Sequence, residues 1–227
     1  MNKTIYIDAG HGGSDTGAVN SKRRESDDNL RMALAVRSLL EGQGHTVLMS
    51  RVGDTYVSLK QRTDAANKAN ADIFVSLHRN SFTNSTAKGV EIWVYTTAGT
   101  VEVNAAKEVL ERLVKVGVQS NRGVKKGNYH VCREANMPAM LVELGFISNT
   151  EDNRLFDKHF DDYALAIAQG VCAALGVEWK GKQKPNHTLY GVVGQKIALS
   201  DRKAAEKYAA QLNASEQDGW HWKVIEI

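Results

Sequence analysis

Strand-like and helix-like segments alternate along the first 176 or so residues of the chain. Residues 4–8 and 72–77 are short apolar runs of the kind that form buried strands. Residues 26–40 instead carry apolar side chains at helical spacing. Such alternation is typical of an α/β architecture, in which helices cover a sheet.

The same patterns predict where the individual elements begin and end. Strands are expected at residues 4–8, 45–49, 72–77, 89–95, 129–133 and 139–143, and helices at residues 26–40, 59–69, 101–116 and 163–175. Ser26 is predicted to cap the first helix, with Asp27 and Asp28 in the first turn, where acidic side chains interact favourably with the helix dipole.

The character of the sequence changes after residue 176. Residues 177–187 are mostly polar and contain Gly181 and Pro185, which predicts a linker. Residues 188–227 repeat the strand, helix and strand pattern as a small C-terminal α/β unit. Because three elements enclose little core, we expect this unit to pack on the main domain or to pair with a second copy.

Composition excludes several classes of protein. The net charge of +3 comes from 29 basic and 26 acidic residues without a Lys/Arg stripe, so nucleic-acid binding is not expected. No apolar run approaches the length of about 20 residues that crosses a membrane, so membrane insertion is not expected. Cys132 and Cys172 are too few for a disulfide framework and are expected to be buried free thiols.

Four residues with catalytic potential lie where strands meet loops. His11 follows the first strand in a Gly-rich turn, Glu25 precedes the first helix, and His78 and Glu143 each end an apolar strand. Ligand sites in open α/β sheets lie outside the strand ends, so we expect these side chains to meet. Two histidines and one carboxylate are a typical catalytic zinc set, and a second carboxylate can take a proton from water.

The segments that carry these residues form an ordered set of motifs. They are residues 8–18, 25–30, 76–81 and 142–149, accompanied by 59–62, 66–67 and 122–124. In order and spacing the set resembles the amidase-3 family of N-acetylmuramoyl-L-alanine amidases, over residues 3 to about 176. The resemblance implies a mixed, largely parallel sheet flanked by helices, with residues 1–176 forming a zinc amidase catalytic domain.

The resemblance also implies roles for the four residues. His11, Glu25 and His78 match the ligands of one Zn²⁺ per catalytic domain, and Glu143 matches the catalytic glutamate. The implied reaction is hydrolysis of the amide bond between N-acetylmuramic acid and L-alanine. The implied partner is therefore bacterial peptidoglycan.

Three further residues near these motifs have candidate roles. Arg79 stands where the family usually has a small residue, so Arg79 and the adjacent Asn80 are candidate substrate-binding residues. Asn80 is equally suited to capping a loop. Asp8 is a candidate acceptor for the second ring N–H of His11, but a turn-forming role for Asp8 is at least as well supported.

The C-terminal unit, residues 188–227, resembles half of a sporulation-related repeat. That likeness implies wall binding, with Tyr190, Trp220 and Trp222 stacked on sugar rings. The alternative, which we favour, is that these aromatic side chains pack a small core or a homodimer interface.

Two other functions compete with the amidase interpretation. A non-catalytic peptidoglycan-binding module would not need to keep both the zinc ligands and Glu143. A zinc peptidase acting on stem peptides, or a deacetylase, is the other alternative, although HExxH, the commonest zinc peptidase motif, is absent. A purely structural zinc site is disfavoured because a fourth Cys or His ligand is missing.

The first residues predict that the chain carries no secretory signal. Met1–Lys3 is followed by a short apolar run that ends at Asp8, whereas a signal needs about 7–15 apolar residues. We therefore expect a protein made in the cytoplasm that acts on the wall after release, as a phage endolysin or a mother-cell lysin does, and of these two we favour the endolysin. A trimmed form of an exported autolysin is the alternative.

Removal of residues 178–227 distinguishes the two interpretations of the C-terminal unit. If the unit binds wall, the truncated protein should sediment less with insoluble peptidoglycan. If it forms an interface, the oligomeric state measured by light scattering should change instead. Unchanged sedimentation and an unchanged oligomeric state would contradict both wall binding and a homodimer interface, and would leave the small core.

Overall fold

The structure, a computed structural model, describes residues 2–181 and three short strands in the rest of the chain. The chain divides into two compact units, Met1–Lys184 and Pro185–Ile227. The side chains of Tyr190, Trp220 and Trp222, and with them the predicted wall-binding or dimerisation surface, lie outside the described residues.

Eight strands and six helices are described in the first unit. The strands are β1 (Thr4–Ala9), β2 (Val19–Asn20), β3 (Arg23–Arg24), β4 (Thr46–Met49), β5 (Ile73–Asn80), β6 (Val90–Tyr95), β7 (Asn121–Gly127) and β8 (Ala139–Phe146). The helices are α1 (Glu25–Gly42), α2 (Leu59–Lys68), α3 (Thr100–Val116), α4 (His130–Arg133), α5 (Thr150–Lys158) and α6 (Phe160–Ala174). The second unit contains β9 (Tyr190–Val192), β10 (Ala198–Leu199) and β11 (Val224–Glu226), an antiparallel sheet in the order β10-β9-β11.

Six strands of the first unit form one sheet in the order β4-β1-β5-β8-β6-β7. Strands β4, β1, β5 and β8 run parallel to one another, and β6 and β7 are also parallel to each other. The single antiparallel pairing joins β6 to β8. The predicted mixed, largely parallel sheet flanked by helices is therefore confirmed. One edge of this sheet contains the carboxyl ends of β1, β5 and β8 together with the amino ends of β6 and β7.

Strict alternation along the strands gives the sheet two buried faces. On one face Ile5 and Ile7 of β1 join the large core that α1, α3 and α6 cover. On the other face Tyr6 and Phe74 stack with ring centroids 5.3 Å apart in a smaller core beneath α2 and α4. Side chains in the register of Tyr6 therefore point toward α2 and α4, and this face carries the candidate site.

Several predicted boundaries are wrong in informative ways. Helix α1 begins at Glu25, its N-cap is Arg24 without a side-chain cap, and the hydroxyl of Ser26 is buried without a hydrogen-bond partner among the described residues. Residues 129–133, predicted as a strand, contain helix α4. The prediction failed because a helix of four residues is too short to show a helical period. Strands β5 and β8 each extend three residues beyond their predicted ends, and the polar strand β7 was not predicted.

The first unit continues past residue 176. Val177 and Trp179 pack against the large core, and the backbone of Lys180 exchanges two hydrogen bonds with the Gln43 side chain. The start of the predicted linker is thus part of the first unit. A truncation that begins after Gly181 would leave this packing intact. Among the described residues, no helix has the length and apolarity required to cross a bilayer.

Arg62 of α2 joins the helix to the end of β1. Its buried guanidinium donates to the Asp8 carboxylate at 2.6 Å and to the carbonyl oxygens of Ala9 at 2.7 Å and His11 at 3.0 Å. Asp8 also accepts a hydrogen bond from the Ser76 hydroxyl at 2.7 Å. One arginine therefore holds both a buried acid and the turn that carries His11.

Arg62→Ala should destabilise the first unit strongly. The substitution leaves the Asp8 carboxylate buried without its cation, a loss that we expect to lower the free energy of unfolding by about 3–5 kcal/mol. Urea unfolding followed by circular dichroism measures the change. Arg154→Ala, which breaks an exposed pair with Glu151, is the control and should change stability little. Equal effects of the two substitutions would contradict the anchoring role of Arg62.

Candidate active site

Three acidic or imidazole side chains form a row across the middle of the sheet. His78 of β5 is in register with Glu143 of β8, which is in register with Glu91 of β6. Residues in register on neighbouring strands project to the same face, with Cβ atoms about 5 Å apart. The row therefore points toward α2 and α4, near the edge where β1 ends.

His11 enters this row from the turn after β1. Its backbone lies in the left-handed region, with a φ of 60°, which is uncommon for a residue with a side chain and recurs at functional sites. Arg51 donates to the carbonyl oxygens of Ala9 and Gly10, each at 2.9 Å, so the carbonyls of the turn point inward. The His11 ring is thereby turned outward, and its Nδ1 lies 2.8 Å from the Asp15 carboxylate.

Gly10 makes room for the second histidine. A Cβ atom built on Gly10 would lie 2.3 Å from the His78 ring, closer than any side chain tolerates. The two imidazole rings consequently meet edge to face, with centroids 4.9 Å apart and planes inclined by 81°.

Glu25 brings a buried carboxylate to both rings from the first turn of α1. Its Oε1 lies 2.8 Å from His78 Nδ1 and 3.2 Å from His11 Nε2. Its other oxygen accepts from the backbone N–H of Ala18 at 2.9 Å. The amino end of a helix stabilises an anion, so the position of Glu25 suits its charge.

The three side chains together have the geometry of a metal-binding group. One ligand atom from each of His11, Glu25 and His78 lies within 4.8 Å of the others. Two imidazole nitrogens and one carboxylate oxygen are a donor set that zinc prefers, and three protein ligands leave a fourth position for water or substrate.

Charge coupling within the group is strong. Burial alone would lower the pKa of His11, but hydrogen bonds and charge from Glu25 and Asp15 raise this pKa to about 9. Burial opposes ionisation of Glu25 as well, yet the two histidines hold its pKa well below the usual range. In the protein without metal, the carboxylate is therefore charged and shares its charge with both rings.

Glu143 has a different environment from Glu25. Its Oε2 atom is buried and has no hydrogen-bond partner among the described residues. Burial raises the pKa of the Glu143 carboxyl to about 7, although the charge of His78 acts in the opposite direction. A carboxyl group with a pKa near neutrality can both accept and donate a proton at physiological pH.

A cavity of about 340 Å³ opens over these residues. It falls within the size range of small-molecule sites, so part of a larger substrate can enter it. The candidate metal ligands and Glu143 lie at its base. Its walls come from the loop before α2 and the residues around α4 and include Tyr56, Val57, Leu59, Tyr129, His130 and Val131.

The contacts in the structure argue against one candidate role of Arg79 and one of the two alternatives for Asp8. The Arg79 side chain is fully buried and donates to Asp28 and Asn153, each at 2.6 Å, so its guanidinium is already paired and is not free to bind substrate. Asp8 does not orient His11, because its carboxylate is occupied by Arg62 and Ser76.

Asn80 lies at the cavity wall, where its amide nitrogen donates to Glu91 at 2.9 Å and its oxygen accepts from the backbone of Ser81. Its substrate contact stays a prediction. Both cysteines are buried free thiols, as expected.

The sequence interpretation missed several residues that support the site. Asp15 holds His11, Arg51 braces the turn, and Tyr129 and His130 line the cavity. The position of Arg51 directly after a predicted strand could have indicated such a role. The others depend on contacts between segments distant in sequence, which no local pattern reveals.

The amidase-3 profile, described as N-acetylmuramoyl-L-alanine amidase, matches residues 5–175. The N-acetylmuramoyl-L-alanine amidase CwlM of Bacillus licheniformis is 38% identical over 218 residues, which cover 94% of this chain and 82% of the relative. The similarity to CwlM therefore extends into the second unit. The sporulation-specific N-acetylmuramoyl-L-alanine amidase of Bacillus subtilis is 37% identical over 191 residues, covering 83% of this chain and 72% of the relative.

A solved structure shares the fold. The crystal structure of an N-acetylmuramoyl-L-alanine amidase from Clostridium difficile 630 superposes with a TM-score of 0.74 at 38% sequence identity, covering 77% of this chain and 97% of that one. The matched region contains the sheet, its helices and the cluster of His11, Glu25, His78 and Glu143. From profile, relatives and fold together, the chain belongs to the amidase-3 family of N-acetylmuramoyl-L-alanine amidases.

Proposed function

We propose that this enzyme uses one zinc ion to hydrolyse the amide bond between N-acetylmuramic acid and L-alanine in peptidoglycan. The observation that carries the proposal is the convergence of His11, Glu25 and His78 within 4.8 Å, in a cavity that also contains Glu143. Family membership supports the bond and the substrate. The donor set supports the metal.

The residues fit zinc in three respects. The donors are two nitrogens and one oxygen, a set found in catalytic rather than structural zinc sites. The Nδ1 atom of His11 is engaged by Asp15, which leaves Nε2 directed at the cluster and fixes the ring, as an outer carboxylate does around ligating histidines. Backbone N–H groups of Ala18 and Arg79 hold the Glu25 carboxylate in place.

Zinc, when bound, supplies a Lewis acid that activates water and polarises the substrate carbonyl. Glu143 is suited to move the proton. We propose that its carboxylate accepts a proton from the attacking water and returns it to the nitrogen of L-alanine, because an amine cannot depart as an anion. No hydrogen-bond donor among the described residues competes for its buried Oε2.

The relatives named above are bacterial wall amidases, one of them sporulation-specific. This supports a cellular wall lysin over the phage endolysin as the setting in which the enzyme acts. We propose peptidoglycan as the partner in that setting.

Mass spectrometry of digested peptidoglycan tests the proposal directly. The full chain loaded with zinc should release stem peptides with free L-alanine amino termini. Glu143→Gln should lower kcat by a factor of about 10³ or more while retaining one zinc per chain, because it removes the proton acceptor but no ligand. Zinc content is measured by atomic absorption on the same samples.

The other outcomes contradict separate parts of the proposal. New reducing ends or cuts within the peptide would mean that the bond is wrong, and a fully active Glu143→Gln would mean that the proton acceptor is wrong. No products from several wall types by a zinc-loaded enzyme would favour the binding module. His159→Gln, outside the site on the far side of the sheet, is the control and should retain activity.

The raised pKa of Glu143 also has a consequence for stability. Burial raises the pKa of this carboxyl to about 7 in the folded, metal-free protein. A carboxyl with a raised folded pKa stabilises the fold below its unfolded pKa, and this contribution is lost as the pH rises toward the folded pKa. Metal-free Glu143→Gln should therefore be more stable than the wild type at pH 8, by about 1–3 kcal/mol, but not at pH 4.

Urea unfolding of the metal-free proteins at the two pH values measures this difference. Glu111→Gln, an exposed substitution on α3, is the control and should show little difference at either pH. A Glu143→Gln variant that is less stable than the wild type at pH 8 would contradict the unfavourable burial of the charge.

A further inference from the structure

Glu91, the third member of the row across the sheet, is enclosed by hydrogen-bond donors. Its Oε1 accepts from Asn80 at 2.9 Å and from the indole N–H of Trp93 at 3.0 Å. Its Oε2 accepts from Arg122 Nε at 2.5 Å and from Lys125 Nζ at 2.6 Å. The carboxylate is buried and fully used, so its chemistry is to hold other groups in place.

The two cationic side chains around Glu91 carry more positive charge than its carboxylate can neutralise. Arg122 and Lys125 share one carboxylate oxygen, which leaves one positive charge uncompensated within the cluster. Their side chains are 34% and 31% exposed, so this charge faces solvent beside the active site. An anionic group that approaches Glu143 from this side would be attracted to it.

Arg122 is held in a way that leaves its best donors free. The guanidinium bonds to Glu91 through Nε and lies over the Phe146 ring at 5.0 Å. Its two terminal nitrogens have no hydrogen-bond partner in the part of the chain that the structure describes. A guanidinium fixed at Nε presents the two-pronged edge that matches a carboxylate.

The backbone of β7 directs Arg122 to this position. Two residues, Arg122 and Gly123, stand opposite the single residue Glu91 where the register between β6 and β7 shifts. Gly123 has a φ of 84°, which a residue with a side chain rarely adopts. Such bulges re-aim side chains beside active sites. Because β6 runs antiparallel to β8, this bulge lies at the site edge of the sheet.

We propose that Arg122 binds a free carboxylate on the peptide of the substrate. The inference rests on the proposed amidase function. In that substrate the carboxyl group of muramic acid is consumed in the bond to be cut, and the acetylated sugars carry no charge. Carboxylates near the scissile amide therefore belong to the stem peptide that follows L-alanine, such as the α-carboxylate of a γ-linked D-glutamate.

The assignment orients the substrate. The peptide leaves toward β6 and β7, where Arg122 lies, and the glycan lies toward the opposite wall, where Tyr56 and Leu59 are exposed. Stem peptides whose carboxylates are amidated lose the partner of Arg122. Arg122 is therefore a specificity-determining residue, which separates acidic stems from amidated ones.

Defined muropeptides test the assignment. The probes are an N-acetylmuramoyl tripeptide with D-glutamate in the second position, the same compound with D-isoglutamine there, and a third amidated only on the third residue. The zinc-loaded full chain should cleave the D-glutamate compound with a kcat/KM about tenfold to a hundredfold above that of its amidated counterpart. Discrimination against the third compound instead would assign the carboxylate to the third residue of the stem.

Arg122→Gln should abolish this preference. We expect its effect chiefly in KM and only on the acidic compound, with Arg122→Lys recovering part of the preference. Arg37→Gln is the matched control, because Arg37 also binds one carboxylate through Nε and is 32% exposed, but lies on α1 away from the site. It should behave as the wild type.

Three outcomes would overturn the assignment or its basis. Equal kcat/KM for acidic and amidated compounds in the wild type would show that no carboxylate is read. A fall in kcat for all compounds in Arg122→Gln would show that Arg122 acts only by positioning the row that contains Glu143. If the wild type cleaves none of the probes and does not cleave whole peptidoglycan either, the proposed function is contradicted instead.

Discussion

Two buried guanidinium groups hold the turn between β1 and the rest of the site. Arg51 and Arg62 together take the carbonyl oxygens of Ala9, Gly10 and His11, which would otherwise be buried without donors. These donors hold the carbonyls inward at the turn in which the backbone of His11 adopts a left-handed φ of 60°. The candidate metal site therefore depends on polar anchoring beneath the turn rather than on apolar packing around it.

Three glutamates near the sheet edge carry the same group in three electrostatic states. Glu25 is charged between two imidazoles, Glu91 is charged between two cations, and Glu143 has a buried oxygen without a described donor. The pKa of the first two is lowered and that of Glu143 is raised to about 7. The proposed ligand, the scaffold residue and the proposed proton carrier thus differ in what surrounds the carboxylate and not in residue type.

The sequence allowed the α/β architecture and the approach of His11, Glu25, His78 and Glu143 to be predicted, because strand ends and apolar periodicity are local signals. It misled where a long-range contact decides the outcome. Arg79, beside a candidate ligand in sequence, has a side chain that follows strand alternation into the interior, where it lies 4.2 Å from the Phe156 ring. The polar strand β7 lacks an apolar pattern because it lies at the edge of the sheet, where pairing with β6 alone defines it.

The contact between Gly10 and the ring of His78 links two positions that lie 68 residues apart in the chain. Any side chain at position 10 would need the space that the imidazole occupies, so position 10 cannot be enlarged while the ring keeps its place. A substitution that enlarges position 10 would therefore displace a proposed metal ligand in the same step. If the proposed zinc site is correct, a side chain at position 10 would mark a relative that has lost this chemistry, even where a histidine persists at position 78.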